Sequence, residues 1–204
     1  MLNEVMKKLS KWDSLKTVQT NKIVSSTYIW LIIVPLFAKA FLKIESIGFT
    51  LNETFYSIDL TLPFSWKFFF FSALSFVIGN LIYLFFSSEF IKKYDDYGDF
   101  KAKGALVSEI ENFVSSQDVE LKKNVERLVN IARYKLEDQK VEAVEKIDNA
   151  AQKEREYFWV VYNEQNEINI KSRYWCLFFY ALGGVLFLYV AIPNVWWVLV
   201  ELFG

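Results

Sequence analysis

The chain has 204 residues, of which 53% are apolar and 19% aromatic, and its net charge at neutral pH is −1. It contains no histidine and one cysteine, Cys176, which excludes a Ser-His-Asp site, a Cys-His site and an intrachain disulfide. The basic residues are not gathered into one arm, so we expect no direct nucleic acid binding.

The apolar residues are concentrated in three blocks that are long enough to cross a hydrocarbon core of about 30 Å. We therefore predict an all-α integral membrane protein with three transmembrane helices and a helical cytosolic insert between the second and the third. The predicted segments are a cytosolic N-terminal segment (1–23), the first two transmembrane helices with a short outer connector (24–87), the helical cytosolic domain (88–173), and the third transmembrane helix with an outer C-terminal tail (174–204).

The N-terminal segment holds five lysines, and Met6, Leu9, Trp12 and Leu15 recur in it at spacings of three. Two interpretations stay open. The segment is either an amphipathic helix on the cytoplasmic membrane face, with its lysines against anionic lipid, or a solvated tail that orients the first span.

The first span covers residues 24–42, and Pro35 should kink it. Its Ala38-Lys39-Ala40 triplet also has the small-x-small form of a signal-peptide cleavage site, which is the alternative for this block. In the connector that follows, polar and apolar residues alternate from 55 to 62, which predicts a short extended segment or hairpin.

The second span covers residues 66–86. Ser72, Ser75 and Gly79 share one helical face, on which small side chains let another helix approach closely, and Asn80 is the only amide in the span. These four residues form either a helix–helix contact or a pore-facing surface in an oligomer.

The third apolar block, 174–203, would be about 45 Å long as one helix. We predict a break at Pro193-Asn194, which leaves 174–192 as the span and 195–203 as a reoriented or interfacial tail. Lysines and arginines flank the spans on the N-terminal and insert sides. This bias predicts that the N-terminus and the insert are cytoplasmic and that the C-terminus is outside. We expect the membrane to be a bacterial inner (plasma) membrane that the chain crosses several times.

The insert, 88–173, contains 15 of the 23 basic and 18 of the 24 acidic residues. Neither glycine nor proline occurs from 105 to 182, which favours long helices. We predict one break near 115–118 and, because both ends must return to the same membrane face, another at 137–140. The last helix should then run without interruption into the third span.

Two aromatic clusters lie in the insert, and each is either part of its small core or a docking surface for a partner. They comprise Tyr94, Tyr97 and Phe100 in the first cluster, and Tyr157, Phe158, Trp159 and Tyr162 in the second. Asp95, Asp96 and Asp99 match no calcium-loop spacing, and a solvated acidic turn is the favoured interpretation. We predict no catalytic, cofactor-binding or metal site, and no enzyme.

Two functions fit this plan. The first is an oligomeric membrane-perturbing or channel-like effector that is controlled through the cytosolic helices. The second is a membrane scaffold or sensor that recruits a cytosolic protein partner. The plan of few spans and a helical insert resembles the small inner-membrane proteins of bacterial anti-phage defence operons, such as the Kiwa membrane subunit and retron transmembrane effectors. That resemblance implies a defence setting and carries over no functional residue.

Overall fold

The chain is helical apart from one short hairpin in the part described by the computed structural model, which comprises residues 2–41, 46–51, 54–59, 66–117, 123, 127 and 145–203. In chain order the elements are α1 (Leu2–Leu9), α2 (Trp12–Gln19), α3 (Lys22–Phe41), β1 (Ser46–Leu51), β2 (Thr54–Asp59), α4 (Trp66–Phe86), α5 (Glu89–Lys93), α6 (Tyr97–Ala102), α7 (Val107–Ser115), α8 (Glu145–Glu167) and α9 (Ile170–Phe203).

Two of the described helices, α4 and α9, are long and apolar enough to cross a membrane, which is consistent with a membrane protein. A third candidate arises if α2 and the part of α3 up to Phe37 are counted as one span, although they meet at a bend of 56°. Pro35 lies inside α3 without ending it. The prediction of a helical protein is therefore confirmed, and the described residues contain two or three helical segments that are apolar enough to span a membrane.

The first connector contains a hairpin, which is one of the two alternatives that the alternation at 55–62 predicts; that stretch overlaps β2, and 60–62 lie outside the described residues. β1 and β2 pair antiparallel, from Ser46 opposite Asp59 to Leu51 opposite Thr54.

The predicted break at Pro193 is wrong, because Pro193 lies inside α9, a continuous helix of 34 residues that ends at Phe203. A proline removes one backbone donor from a helix, but it does not by itself force the helix to end. The side-chain amide of Asn194 donates to the carbonyl oxygen of Val190 at 2.6 Å, four residues earlier, and provides an added hydrogen bond beside the proline.

The predicted continuity of the insert with the third span is also wrong. α8 ends at Glu167, and Asn169 has a φ of 54°, in the left-handed region, before α9 begins. Asparagine tolerates this conformation better than most residues, because its short side chain can form local hydrogen bonds. The Asn169 side chain also makes a long-range hydrogen bond: its Nδ2 donates to the carbonyl oxygen of Phe86, which lies 83 residues earlier, at 2.8 Å.

The chain divides into two compact units. One unit contains Met1–Ser10, Ser14–Phe85 and Lys171–Gly204, and the other contains Lys11–Asp13 and Phe86–Ile170. We call the first the span unit and the second the insert unit.

Short capped helices build the first part of the insert unit. The Ser88 side chain caps α5 by accepting a hydrogen bond from the backbone N–H of Phe90, and Asp96 caps α6 through the N–H of Asp99. After α6, Gly104 has a φ of 68°, a conformation that suits the residue following a helix. α7 then ends at Ser115, where a break was predicted. The break predicted at 137–140 lies outside the described residues.

Candidate functional site

The small-residue face of α4 lies against α9 within the span unit. The Ser72 hydroxyl donates to the carbonyl oxygen of Gly183 at 2.7 Å, and the Cys176 thiol donates to the carbonyl oxygen of Gly79 at 3.3 Å. Side-chain donors thus reach main-chain acceptors across the contact in both directions. Such contacts require the two helix backbones to lie close together, which small residues permit.

Glycines at two positions make this close approach. A Cβ added at Gly79 would lie 2.8 Å from two ring atoms of Tyr180, and one added at Gly183 would lie 3.1 Å from the ring of Phe76. Each helix therefore contributes one glycine that receives an aromatic ring from the other. At Gly184, next in the chain, an added Cβ would meet nothing within 4 Å.

Asn80 occupies the most polar point of the contact. Its side chain is 9% exposed, and its Oδ1 accepts a hydrogen bond of 2.5 Å from the Tyr180 hydroxyl. Its Nδ2 is buried and has no hydrogen-bond partner among the residues that the structure describes. An unsatisfied buried donor costs about 1–3 kcal/mol, so this amide makes the contact less stable than an apolar one of the same shape.

All four oligomer or pore-facing candidates are therefore buried within one chain. Ser72, Gly79 and Asn80 contact α9 directly, whereas the buried Ser75 hydroxyl donates to the carbonyl oxygen of Phe71 in its own helix at 2.8 Å. The helix–helix contact exists within the chain. Facing a pore stays a prediction, and it would require α9 to move away from α4.

The two aromatic clusters come together in the insert unit. Phe158 of α8 is fully buried, and its ring centroid lies 5.2–6.3 Å from those of Phe90, Tyr94 and Phe100. Tyr162 stacks on it from the next turn at 5.5 Å. These rings form the aromatic core of the unit.

The docking candidates therefore fall into two groups. Tyr94, Phe100 and Phe158 are buried, whereas Tyr97, Tyr157 and Trp159 are each half-buried. The second group leaves part of its aromatic surface open, although docking to a partner stays a prediction.

A charged contact on the surface of the insert unit was not predicted from the sequence. Lys93 Nζ lies 2.7 Å from Glu109 Oε2, and the Tyr94 hydroxyl donates to the same oxygen at 2.6 Å. The hydrogen bond from Lys93, and then that from Tyr94, lower the pKa of the Glu109 carboxyl, and Glu109 in turn raises the pKa of Lys93. The pair connects α5 to α7, and because both side chains are solvent-accessible its contribution to stability is small.

The acidic turn serves to cap helices. Asp96 Oδ1 accepts from the backbone N–H of Asp99 at 2.8 Å, and Asp99 Oδ2 accepts from the N–H of Asp95 at 3.1 Å and from Lys103 Nζ at 2.7 Å. Local donors thus bind the carboxylates of Asp96 and Asp99. Among the described residues there is no group of three potential metal ligands.

Residues 11–13 bind to the C-terminal end of α8, a long-range contact that sequence reasoning missed. Trp12 is fully buried, and its Nε1 donates to the carbonyl oxygen of Ile168 at 3.0 Å. The backbone N–H of Asp13 donates to Asn166 Oδ1 at 2.9 Å. A tryptophan within a lysine-rich segment was the available signal, but its partner lies about 150 residues away along the chain.

No family model matches the sequence, and neither a curated protein nor a solved structure matches it at a significant level.

Proposed function

We propose that the chain is an oligomeric effector of the bacterial inner membrane that perturbs or permeates the bilayer under the control of its cytosolic helices, in an anti-phage defence setting. The α4–α9 contact is the closed state of this effector. The observation that carries the proposal is Asn80, a buried amide in an apolar spanning helix with one polar group satisfied and the other without a partner among the described residues.

The energetics favour a contact that can open. An intramembrane amide needs hydrogen-bond partners, and the unsatisfied Nδ2 offsets part of the packing energy gained by Gly79 and Tyr180. If α9 moves away, Asn80 and Ser72 can pair with water or with the same residues of neighbouring copies. Two arrangements that differ by a few kcal/mol are what a switch requires.

The connectivity supplies a route for the signal. α4 runs into the insert unit at Phe86, α9 leaves it at Ile170, and residues 11–13 enter it from the N-terminal side. A structural change in the insert unit therefore acts through the covalent chain on three membrane-proximal segments at once. In the proposed topology the N-terminus and the insert unit are cytoplasmic, and the C-terminus is outside.

Dye leakage from liposomes that contain the purified chain tests the proposal, together with growth arrest on expression. Tyr180→Phe removes the hydroxyl that satisfies Asn80 Oδ1 and retains the ring that covers Gly79. We expect this variant to leak faster than wild type. The matched control is Tyr189→Phe, on the same helix but largely exposed, which should leave leakage unchanged.

Equal leakage by wild type and both variants would contradict the closed-state assignment. If wild type and Tyr180→Phe are both inert in liposomes and in cells, the permeation function itself is wrong.

The half-buried aromatic surface of Tyr97, Tyr157 and Trp159 favours a second candidate, a scaffold or sensor that recruits a cytosolic partner. Here Trp159→Ala should abolish capture of that partner by the full chain and leave leakage unaltered. An effect on leakage without an effect on capture would favour the first function instead.

A further inference from the structure

Helix α1 has one apolar face that stays exposed in the part of the chain that the structure describes. Val5, Met6 and Leu9 are 48%, 41% and 49% exposed. At 100° per residue these three positions fall within an arc of about 100° on the helix. An isolated helix of eight residues is only marginally stable in water. An exposed apolar face on such a helix therefore indicates that another apolar surface covers it.

The opposite face of α1 carries charge. Lys7 and Lys8 are exposed and lie about 150° and 110° around the helix from the middle of the apolar arc, with Glu4 between them. Residues 1–22 contain five lysines against Glu4 and Asp13, whereas the whole chain has a net charge of −1. Lys11, just after α1, forms an ion pair with Glu167 at 3.0 Å. The two basic residues of α1 itself are Lys7 and Lys8. A surface that complements this helix has an apolar interior, which takes up the apolar face, and a negatively charged outer layer, which binds the lysines.

The span unit indicates which surface that is. Met1–Ser10 belong to the same compact unit as α4 and α9, the two helices that are apolar enough to cross a membrane. α3 begins 13 residues after α1 ends. An amphipathic helix so close to a membrane-embedded segment is held near the headgroups, where apolar side chains enter the acyl boundary and lysines meet anionic lipid.

We propose that α1 lies in the interface of a bilayer that contains anionic lipid, with Val5, Met6 and Leu9 in the acyl boundary and Lys7 and Lys8 against lipid phosphates. This inference does not depend on permeation. A scaffold with the same spans would use α1 in the same way, and the leakage assay and the test below fail independently.

The test uses the full chain in nanodiscs, with an environment-sensitive fluorophore on a single cysteine. Cys176→Ser provides the background, because a serine hydroxyl keeps a donor for the carbonyl oxygen of Gly79. The reporter is at Met6→Cys, and the matched control is at Glu4→Cys, roughly 160° away around the helix. Nanodiscs contain either phosphatidylcholine alone or a mixture with phosphatidylglycerol, each with and without brominated acyl chains.

We expect the Met6 label to emit at shorter wavelength and to be quenched by brominated chains in the phosphatidylglycerol nanodiscs, and the Glu4 label to show neither effect. Replacing both Lys7 and Lys8 by glutamate should remove the quenching. Equal quenching in phosphatidylcholine would overturn the anionic-lipid assignment. A Met6 label that is shielded but not quenched would show that protein, such as a second copy of the chain, covers the face, and a label in water would show that nothing does.

Discussion

Replacement of Gly79 by alanine tests the α4–α9 contact most directly. The added Cβ would lie 2.8 Å from Tyr180 Cδ1 and Cε1, about 0.6 Å inside the 3.4 Å at which ordinary contact begins. The ring cannot simply swing aside, because its hydroxyl is bonded to Asn80 on the same helix as Gly79. Overpacking of this kind costs about 1–3 kcal/mol.

Alanine also favours helix over glycine by about 1 kcal/mol, a gain that offsets part of the cost. Gly184→Ala isolates that gain, because an added Cβ there meets nothing within 4 Å. The measured quantity is the thermal midpoint of the detergent-solubilised chain. We expect Gly79→Ala to unfold roughly 2–12 °C below Gly184→Ala, at about 2–4 °C per kcal/mol for a chain of this size. If Gly79→Ala unfolds at or above the temperature of Gly184→Ala, the close approach of the helices is wrong.

Three further predictions concern the insert unit. Phe158→Ala removes a fully buried ring and should cost about 3–5 kcal/mol in chemical denaturation, whereas Leu106→Ala, at an exposed position, should change little. Asn169→Val should destabilise by about 1–2 kcal/mol because valine is strained at a φ of 54°, and Asn169→Gly should cost less; equal losses would place the effect in the side-chain hydrogen bond. The hydrogen bond from Lys93 lowers the folded-state pKa of Glu109, so its contribution is present above the ordinary value of 4.5 and is lost as pH falls through the folded value. Wild type should therefore lose more stability than Glu109→Gln in an acid titration followed by circular dichroism, and parallel curves would refute the linkage.

Features that depend only on neighbouring residues in the chain could be predicted from the sequence. The apolar blocks predicted helices long enough to span a membrane. The Ser72–Gly79 small-residue face gave a close helix contact as one of two alternatives, and the alternation in the first connector gave a hairpin as one of two. These predictions were possible because hydropathy, side-chain size and period are properties of neighbouring residues. The same local view failed at Pro193 and at Asn169. A proline breaks a helix only if its surroundings do not compensate, and the left-handed conformation of one asparagine leaves no periodic signal.

Which faces meet was decided by the tertiary structure alone. Folding brings together residues from distant parts of the chain: Trp12 with Ile168, Tyr180 with Asn80, and the rings that surround Phe158. Their hydrogen bonds and packing form only once the helices are in place. The sequence by itself determined that this chain has helices apolar enough to span a membrane and a highly charged segment between them, because hydropathy and charge follow directly from composition. The partner of each small, polar or aromatic residue depends on complementary shape and hydrogen bonding across long sequence separations, which composition and periodicity do not encode.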